Sequence, residues 1–248
     1  MSTKLQYVGW STFIFEDSKG FRMITDPFTE GNKDYKILPS PIETKDINVD
    51  LIICSHCSDD HFSQSFEIMD FNPKSKLVGD LATCALAKRA GYGNIFGNRV
   101  ELITAGASYS VSNFTVHATS ARHIAFRELP DGSYITGEPL CYAIQIKDGP
   151  TCFFGGDTAL TYDMILWKEL FEPEIAFLGI GGADLSGRTL SEMHPRAAAI
   201  CAKMLGIKTV IPMHYNYDRD VTEFKRYISE IYPECKVLVM KPADIIEI

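Results

Sequence analysis

No stretch of this sequence stays apolar for the roughly 20 residues that a bilayer-spanning helix needs, so a membrane protein is not expected. Cations are in deficit: 24 Lys and Arg against 32 Asp and Glu give a formal net charge of −8. With a pI near 5.3 and no local cluster of Lys and Arg, a nucleic-acid partner, which requires a basic face, is not expected either. The opening residues, Met1 to Tyr7, lack the apolar core of a signal peptide. Cysteine occurs seven times, an odd number scattered through apparent strands and helices, which fits free thiols in a reducing cytoplasm better than a disulfide framework. The pair Cys54-x-x-Cys57 begins inside a strand, away from the helix N-terminus that would lower a thiol pKa, so Cys54 reads as core and Cys57 as a loop residue. There is no internal repeat, low-complexity tract or linker.

What is present is ordinary for a globular protein: 248 residues, 46% hydrophobic and 23% charged, enough to bury a substantial core. Short runs rich in aromatic and β-branched residues at 4–8, 12–16 and 21–25 predict strands separated by Gly9 and Ser18-Lys19-Gly20. A polar, proline-containing loop over 29–48 precedes a buried strand over 49–54, and a helix is expected from about Ser63 to Met69. Further strands are predicted at 76–79, 99–104, 108–119, 141–146, 151–154, 174–180, 209–212 and 236–240, with a loop over 129–137. Helices are predicted at 83–90, 163–170 and 195–205, the last opened by Pro195 and stopped by Gly206. Asp220 and Glu223 resemble a capping box for a final helix ending before Pro233. Strands followed by αβ units in each half indicate one α/β sandwich domain over 1–248.

The polar residues fall into a pattern on this map. Ser55-His56-Cys57-Ser58-Asp59-Asp60-His61 crowds two imidazoles and two carboxylates where a strand gives way to a loop. His123, Asp157 and His214 likewise lie just past the ends of predicted strands, where sites form in layered α/β proteins. Singly, each reads as a satisfied polar group. Together they favour a divalent metal, because imidazole and carboxylate suit zinc, iron or manganese.

The stretch from His56 to His61 resembles the H-x-H-x-D-H motif of the metallo-β-lactamase superfamily, with Ser58 where the motif has its second His. Asp26-Pro27-Phe28, His123, Gly156-Asp157-Thr158 and Pro212-Met213-His214-Tyr215 follow in the superfamily's order, so the resemblance covers nearly the whole chain. It is nearest to the branch containing L-ascorbate-6-phosphate lactonase and related small metal-dependent hydrolases, on account of Ile175 to Gly182 and Met193-His194-Pro195. The resemblance implies an αββα four-layer sandwich and a dinuclear centre. His56 and His123 would bind one metal and Asp60, His61 and His214 the other, with Asp157 bridging and Asp26 behind a ligand. Asp60 and Asp157 would be the catalytic carboxylates, with zinc the first choice of metal, manganese or iron the alternatives, and one or two ions bound.

Ser58 weakens the first site, since a neutral hydroxyl is a poor zinc ligand. Asp59 could compensate only if the loop rotated, because side chains at neighbouring positions point different ways, and Cys57 faces the same objection. His194 is a candidate to complete the site, with a capping or surface role beside Pro195 the favoured reading. His117, in mid-strand, reads as structural. Arg122, Arg127 and Arg188 are candidates to hold an anionic group, because guanidinium matches carboxylate and phosphate geometry. The expected function is a cytoplasmic hydrolase that uses a metal-activated hydroxide on a small anionic substrate (a lactone, another ester or amide, or a phosphodiester), and a homo-oligomer is compatible with it. The alternatives are a degenerate, non-catalytic binding protein of the same fold and, disfavoured by the acidic charge, an RNA-processing nuclease.

Overall fold

The structure, a computed structural model, describes residues 2–182, 184–185, 188–189 and 192–248, with backbone alone at 184–185 and 188–189. In chain order the elements are β1 (Lys4–Gly9), β2 (Thr12–Glu16), β3 (Arg22–Thr25), β4 (Leu51–Ile53), α1 (Asp59–Phe62), α2 (Ser65–Phe71), β5 (Lys76–Gly79), α3 (Leu81–Arg89) and β6 (Val100–Leu102). There follow β7 (Ser108–Val111), β8 (Phe114–Ser120), β9 (Phe126–Glu128), β10 (Tyr134–Thr136), β11 (Leu140–Ile146), β12 (Thr151–Phe154), α4 (Asp163–Phe171) and β13 (Ile175–Gly179). The chain ends with β14 (Asp184–Leu185), β15 (Arg188–Thr189), α5 (Pro195–Leu205), β16 (Thr209–Met213), α6 (Asp218–Ile231), β17 (Lys236–Val237) and β18 (Ile245–Glu247).

Two seven-stranded sheets carry the fold, ordered β18-β1-β2-β3-β4-β5-β6 and β17-β16-β13-β12-β11-β8-β7. Each is antiparallel in one half and parallel in the other, the change falling at β3–β4 in the first sheet and at β12–β13 in the second. The period-2 alternation of a strand assigns its side chains to two different cores. Phe13, Phe15, Met23, Leu51, Ile53 and Val78 meet Tyr142, Ile144, Phe154, Phe177 and Ile211 between the sheets. Their neighbours Ile14, Ile24, Ile52 and Leu77 face outward and are covered by α2 and α3. On the second sheet Cys141, Phe153, Ala176, Leu178 and Val210 face out and are covered by α4, α5 and α6. Both faces of the central strands are therefore buried, which is why these strands read as unbroken apolar runs, and the layer order is the expected αββα sandwich.

Phe177 sits in the aromatic centre of the inter-sheet core, its ring 4.6 Å from Phe13 and 5.6 Å from Phe15 between centroids. Phe177→Ala should cost about 3–5 kcal/mol through lost transfer energy and the cavity left behind. A urea unfolding midpoint that moves by less than about 1 kcal/mol equivalent would show that the core is not organised around this ring.

Several local expectations change. The segment 108–119 is a hairpin of β7 and β8, because Ser112 takes a left-handed turn (φ 52°) and pairs Val111 with Phe114 across it. The loop over 129–137 contains most of a second hairpin, β9–β10, closed near Gly132 (φ 78°). The strand expected at 236–240 is only β17, and the chain continues to β18, which pairs antiparallel with β1. Helix α6 starts at Asp218 with Tyr217 as its N-cap, so Asp220 lies within its first turn and caps nothing. Helix α3 starts earlier than expected because the Asp80 carboxylate accepts the amide N–H groups of Ala82 and Thr83. The motif itself is partly helical: Asp59 to Phe62 form α1, which turns Asp60 and His61 toward the mouth between the sheets.

Candidate metal centre

Asp26 follows β3, His56 follows β4, His123 follows β8, Asp157 follows β12 and His214 follows β16. Two of the approaches need unusual backbone. Gly156 has φ 50°, and a Cβ there would meet Ser55 Cβ at 2.6 Å, so only glycine brings Asp157 this close to the β4 loop. Asp26 (φ 36°) and His214 (φ 52°) hold left-handed conformations without being glycine, a strain of the kind that collects at functional sites.

One half of the centre is organised by a fully buried carboxylate. Asp26 accepts hydrogen bonds from the Ser55 amide (2.6 Å), the Ser55 hydroxyl (2.6 Å) and His61 Nδ1 (2.7 Å). Because the Ser55 hydroxyl spends its proton on Asp26, it must accept from His56 Nδ1, 2.9 Å away. Both histidines thus carry their proton on Nδ1 and present Nε2 to the cluster, the arrangement of a metal-binding imidazole oriented from behind. Burial raises the pKa of Asp26, while His61 and Ser55 hold it back. Burial and the neighbouring His61 push His56 well below the ordinary histidine range.

The other half is a knot of carboxylates and imidazoles. Asp157 Oδ2 lies 3.2 Å from His61 Nε2, 3.3 Å from His214 Nε2 and 3.7 Å from His123 Nε2. His214 Nε2 is also 3.2 Å from Asp60 Oδ2. Burial opposes the charge on Asp157, but His214, His61 and His123 outweigh it and hold the carboxyl well below its usual range. In the same way burial opposes charge on His214, and Asp157, Asp60 and Glu192 overcome it, raising the imidazole from 6.5 to about 9.

Two groups of donor atoms share Asp157: Asp60, His61, Asp157 and His214 in one, and His56, His123 and Asp157 in the other, each with all its atoms within 4.8 Å of one another. Among the described residues, His56 Nε2, His61 Nε2 and Asp157 Oδ1 are buried without a hydrogen-bond partner. His61 Nε2 meets Asp157 Oδ2 at 3.2 Å as a charge contact. Three orphaned polar atoms in one cluster are costly unless a ligand satisfies them, and imidazole nitrogen with carboxylate oxygen is the donor set for a divalent transition metal. The residues fit the group.

The remaining sequence candidates are placed as follows. The Ser58 hydroxyl donates to the Phe126 carbonyl on β9 (3.3 Å). Arg127 pairs with Asp59 (3.1 Å) over the Phe62 ring, so its guanidinium is already engaged. Arg122 is exposed beside His123, with its amide donating to Thr158 Oγ1. His194 is exposed at the N-cap of α5 and belongs to neither donor group. The side chain of Arg188 lies outside the described residues. His117 bonds Gln145 at 2.9 Å on the sheet surface, as a structural residue would. Three residues at the centre are not legible from the sequence. Ser55 lies behind His56 and against Asp26, Trp10 Nε1 donates to Asp60 Oδ2 (3.1 Å), and Glu192 Oε2 lies 3.7 Å from His214 Nδ1. A tryptophan directly after a turn glycine is the one available signal, and it is weak.

Restoring the motif histidine tests the Ser58 position. Ser58→His should raise metal content per chain toward two and tighten the second-bound ion, measured under identical metal loading. Two tightly held ions in the unaltered protein, unchanged by the substitution, would show that Ser58 leaves no deficit.

Residues 4–214 match the family model described as a beta-lactamase superfamily domain. A UPF0173 metal-dependent hydrolase of Thermococcus kodakarensis is 30% identical over 251 residues, covering 99% of each chain. One from Pyrococcus abyssi is 31% identical over 256 residues, again 99% of each. Among solved structures, a metallo hydrolase of Ignicoccus hospitalis superposes with a TM-score of 0.77 at 24% identity, covering 100% of this chain and 99% of that one. An isothiocyanate hydrolase from Delia radicum gut bacteria gives 0.76 at 20%, covering 98% of both chains. At those identities the two structures establish the fold. The chain is a metal-dependent hydrolase that belongs to the metallo-β-lactamase superfamily.

Proposed function

We propose that residues 1–248 act as one cytoplasmic domain that binds one or two divalent cations, zinc before manganese or iron, and hydrolyses a small anionic substrate such as a lactone, another ester or amide, or a phosphodiester. The observation that carries this reading is the set of three buried polar atoms without a hydrogen-bond partner, His56 Nε2, His61 Nε2 and Asp157 Oδ1, within a single cluster. His56, His123 and Asp157 would hold one ion, and Asp60, His61, Asp157 and His214 the other. When bound, such an ion lowers the pKa of water toward neutrality and polarises the bond to be cleaved.

The chain's own residues do the rest. Asp26 and Ser55 hold the tautomers of His61 and His56. Asp60, whose side chain is 33% exposed while its neighbours are almost wholly buried, is held ionised, against the opposing effect of burial, by His61 and His214, so it stands as a fixed negative charge between the centre and solvent. Among the described side chains, Arg122, exposed next to His123, is a guanidinium available for an anionic group, since Arg127 is held by Asp59. All seven cysteines are unpaired and buried, which supports a reducing compartment. No helix among the described residues is long and apolar enough to cross a membrane.

The test combines metal analysis of purified protein with turnover of lactone, ester and phosphodiester probes before and after chelation. Metal-dependent turnover of any one class supports the reading and identifies the substrate. Bound metal without turnover would favour the binding-protein alternative that Ser58 suggests. With a net charge of −8, the protein should not retard RNA or DNA in a gel at physiological salt. Tight, salt-sensitive retardation would revive the nuclease alternative.

A further inference from the structure

We infer that Trp10 is a positioning residue for this centre, its indole N–H fixing the Asp60 carboxylate and its ring fixing the His214 imidazole. The inference rests on the reading of Asp60 and His214 as metal ligands. The geometry is specific. Trp10 Nε1 donates to Asp60 Oδ2 at 3.1 Å, and the Trp10 ring lies 4.0 Å from the His214 ring between centroids. The Trp10 carbonyl accepts from the His214 amide (3.3 Å) and from the Tyr7 hydroxyl (3.0 Å). One residue therefore grips two candidate ligands that stand 154 positions apart, by side chain and backbone together.

The local backbone is bent to make this possible. The β1–β2 turn carries a register shift between Tyr7 and Gly9, and Trp10 follows Gly9 with φ 51°. An aromatic residue in the left-handed region is an outlier that costs of order 1 kcal/mol or more, and it persists only where surrounding contacts demand it. A turn serving only to join two strands would place glycine, asparagine or aspartate there. Asp60 is the member of the cluster with solvent access, so it is the carboxylate most in need of a fixed partner. The indole N–H occupies one lone pair of Oδ2 and leaves the remaining carboxylate lone pairs for other partners.

Tryptophan occurs twice in the chain, and the second, Trp167, on the buried face of α4, packs on Phe153 away from the centre. That makes the role measurable in the unaltered protein. With 5-fluorotryptophan incorporated, one of two fluorine resonances should shift as Zn2+ is added, saturating at the metal stoichiometry, while the Trp167 resonance stays still. Trp10→Phe keeps a ring against His214 and removes the donor. It should weaken Zn2+ binding roughly 10- to 100-fold, the usual loss when a partner behind a ligand is removed, with little change in the thermal midpoint of the metal-free protein. Equal Zn2+ affinity in Trp10→Phe overturns the inference and leaves the proposed function intact. If Trp10→Phe does not fold, the fluorine titration decides, and a Trp10 resonance unmoved by bound zinc overturns it. An unaltered protein that binds no zinc, manganese or iron overturns both readings.

Discussion

Asp157→Ala should abolish tight metal binding and reduce turnover by more than the roughly 10- to 100-fold that follows loss of an outer partner. The reason is position: Asp157 belongs to both donor groups and lies within 3.2–3.7 Å of the Nε2 atoms of His61, His214 and His123. Its removal strips each group of its shared anion and leaves imidazoles facing one another. The variant should stay soluble, because the side chain contributes to none of the three apolar cores. A second readout uses metal-free protein. His214 titrates near 9 rather than 6.5. A basic group so raised contributes its stability in full below about 6.5 and loses it as pH rises through about 9. Asp157 is the strongest of the groups that raise it, so Asp157→Ala should flatten the fall in urea midpoint between pH 6 and pH 9.5. Full metal content in the variant would refute the bridging assignment. An unchanged pH dependence would refute the electrostatic account of His214.

Asp26→Asn should weaken metal binding about 10- to 100-fold and destabilise the metal-free protein by about 3–5 kcal/mol, as expected when one partner of a buried charged pair is lost. Asp26 Oδ2 receives two donors, the Ser55 hydroxyl and His61 Nδ1, and Oδ1 receives the Ser55 amide. An amide nitrogen in place of either oxygen sets donor against donor. In the Oδ2 position it forces His61 to move its proton to Nε2, the atom that should bind the ion. Ser55→Ala makes the milder comparison. It removes the acceptor that orients His56 but leaves the Asp26–His61 bond, so its effect should fall chiefly on the ion held by His56 and His123. If Asp26→Asn keeps wild-type zinc affinity and stability, the buried carboxylate does not set the tautomer. If Ser55→Ala weakens both ions equally, the two halves are not separately supported.

Much of this molecule is written in its one-dimensional pattern, and the reasons are local. Unbroken apolar runs such as Leu51-Ile52-Ile53 and Cys152-Phe153-Phe154 announce strands buried on both faces, and Pro195 with Gly206 bounds α5 through backbone chemistry alone. The crowding of His56, Asp60 and His61, followed by His123, Asp157 and His214 at strand ends, made the cluster legible because ligand chemistry admits few residue types. Turn conformations were less legible. Ser112 breaking 108–119 into a hairpin depends on a left-handed φ that a serine does not advertise.

What only the tertiary structure decided concerns partners far apart in sequence. Ser58 and Asp59 fill the motif's spacing, yet their side chains engage β9 through the Phe126 carbonyl and Arg127, since the β9–β10 hairpin folds over α1. Trp10, Ser55 and Glu192 are ordinary residues by type, and they enter the site because the two sheets bring the β1–β2 turn, the β4 loop and the start of α5 to one mouth. Residue identity determined which side chains could bind an ion. The packing of the sheets determined which Nε2 atoms are buried, which tautomers they hold and which neighbours keep them there, because hydrogen bonds and desolvation act through space and not along the chain.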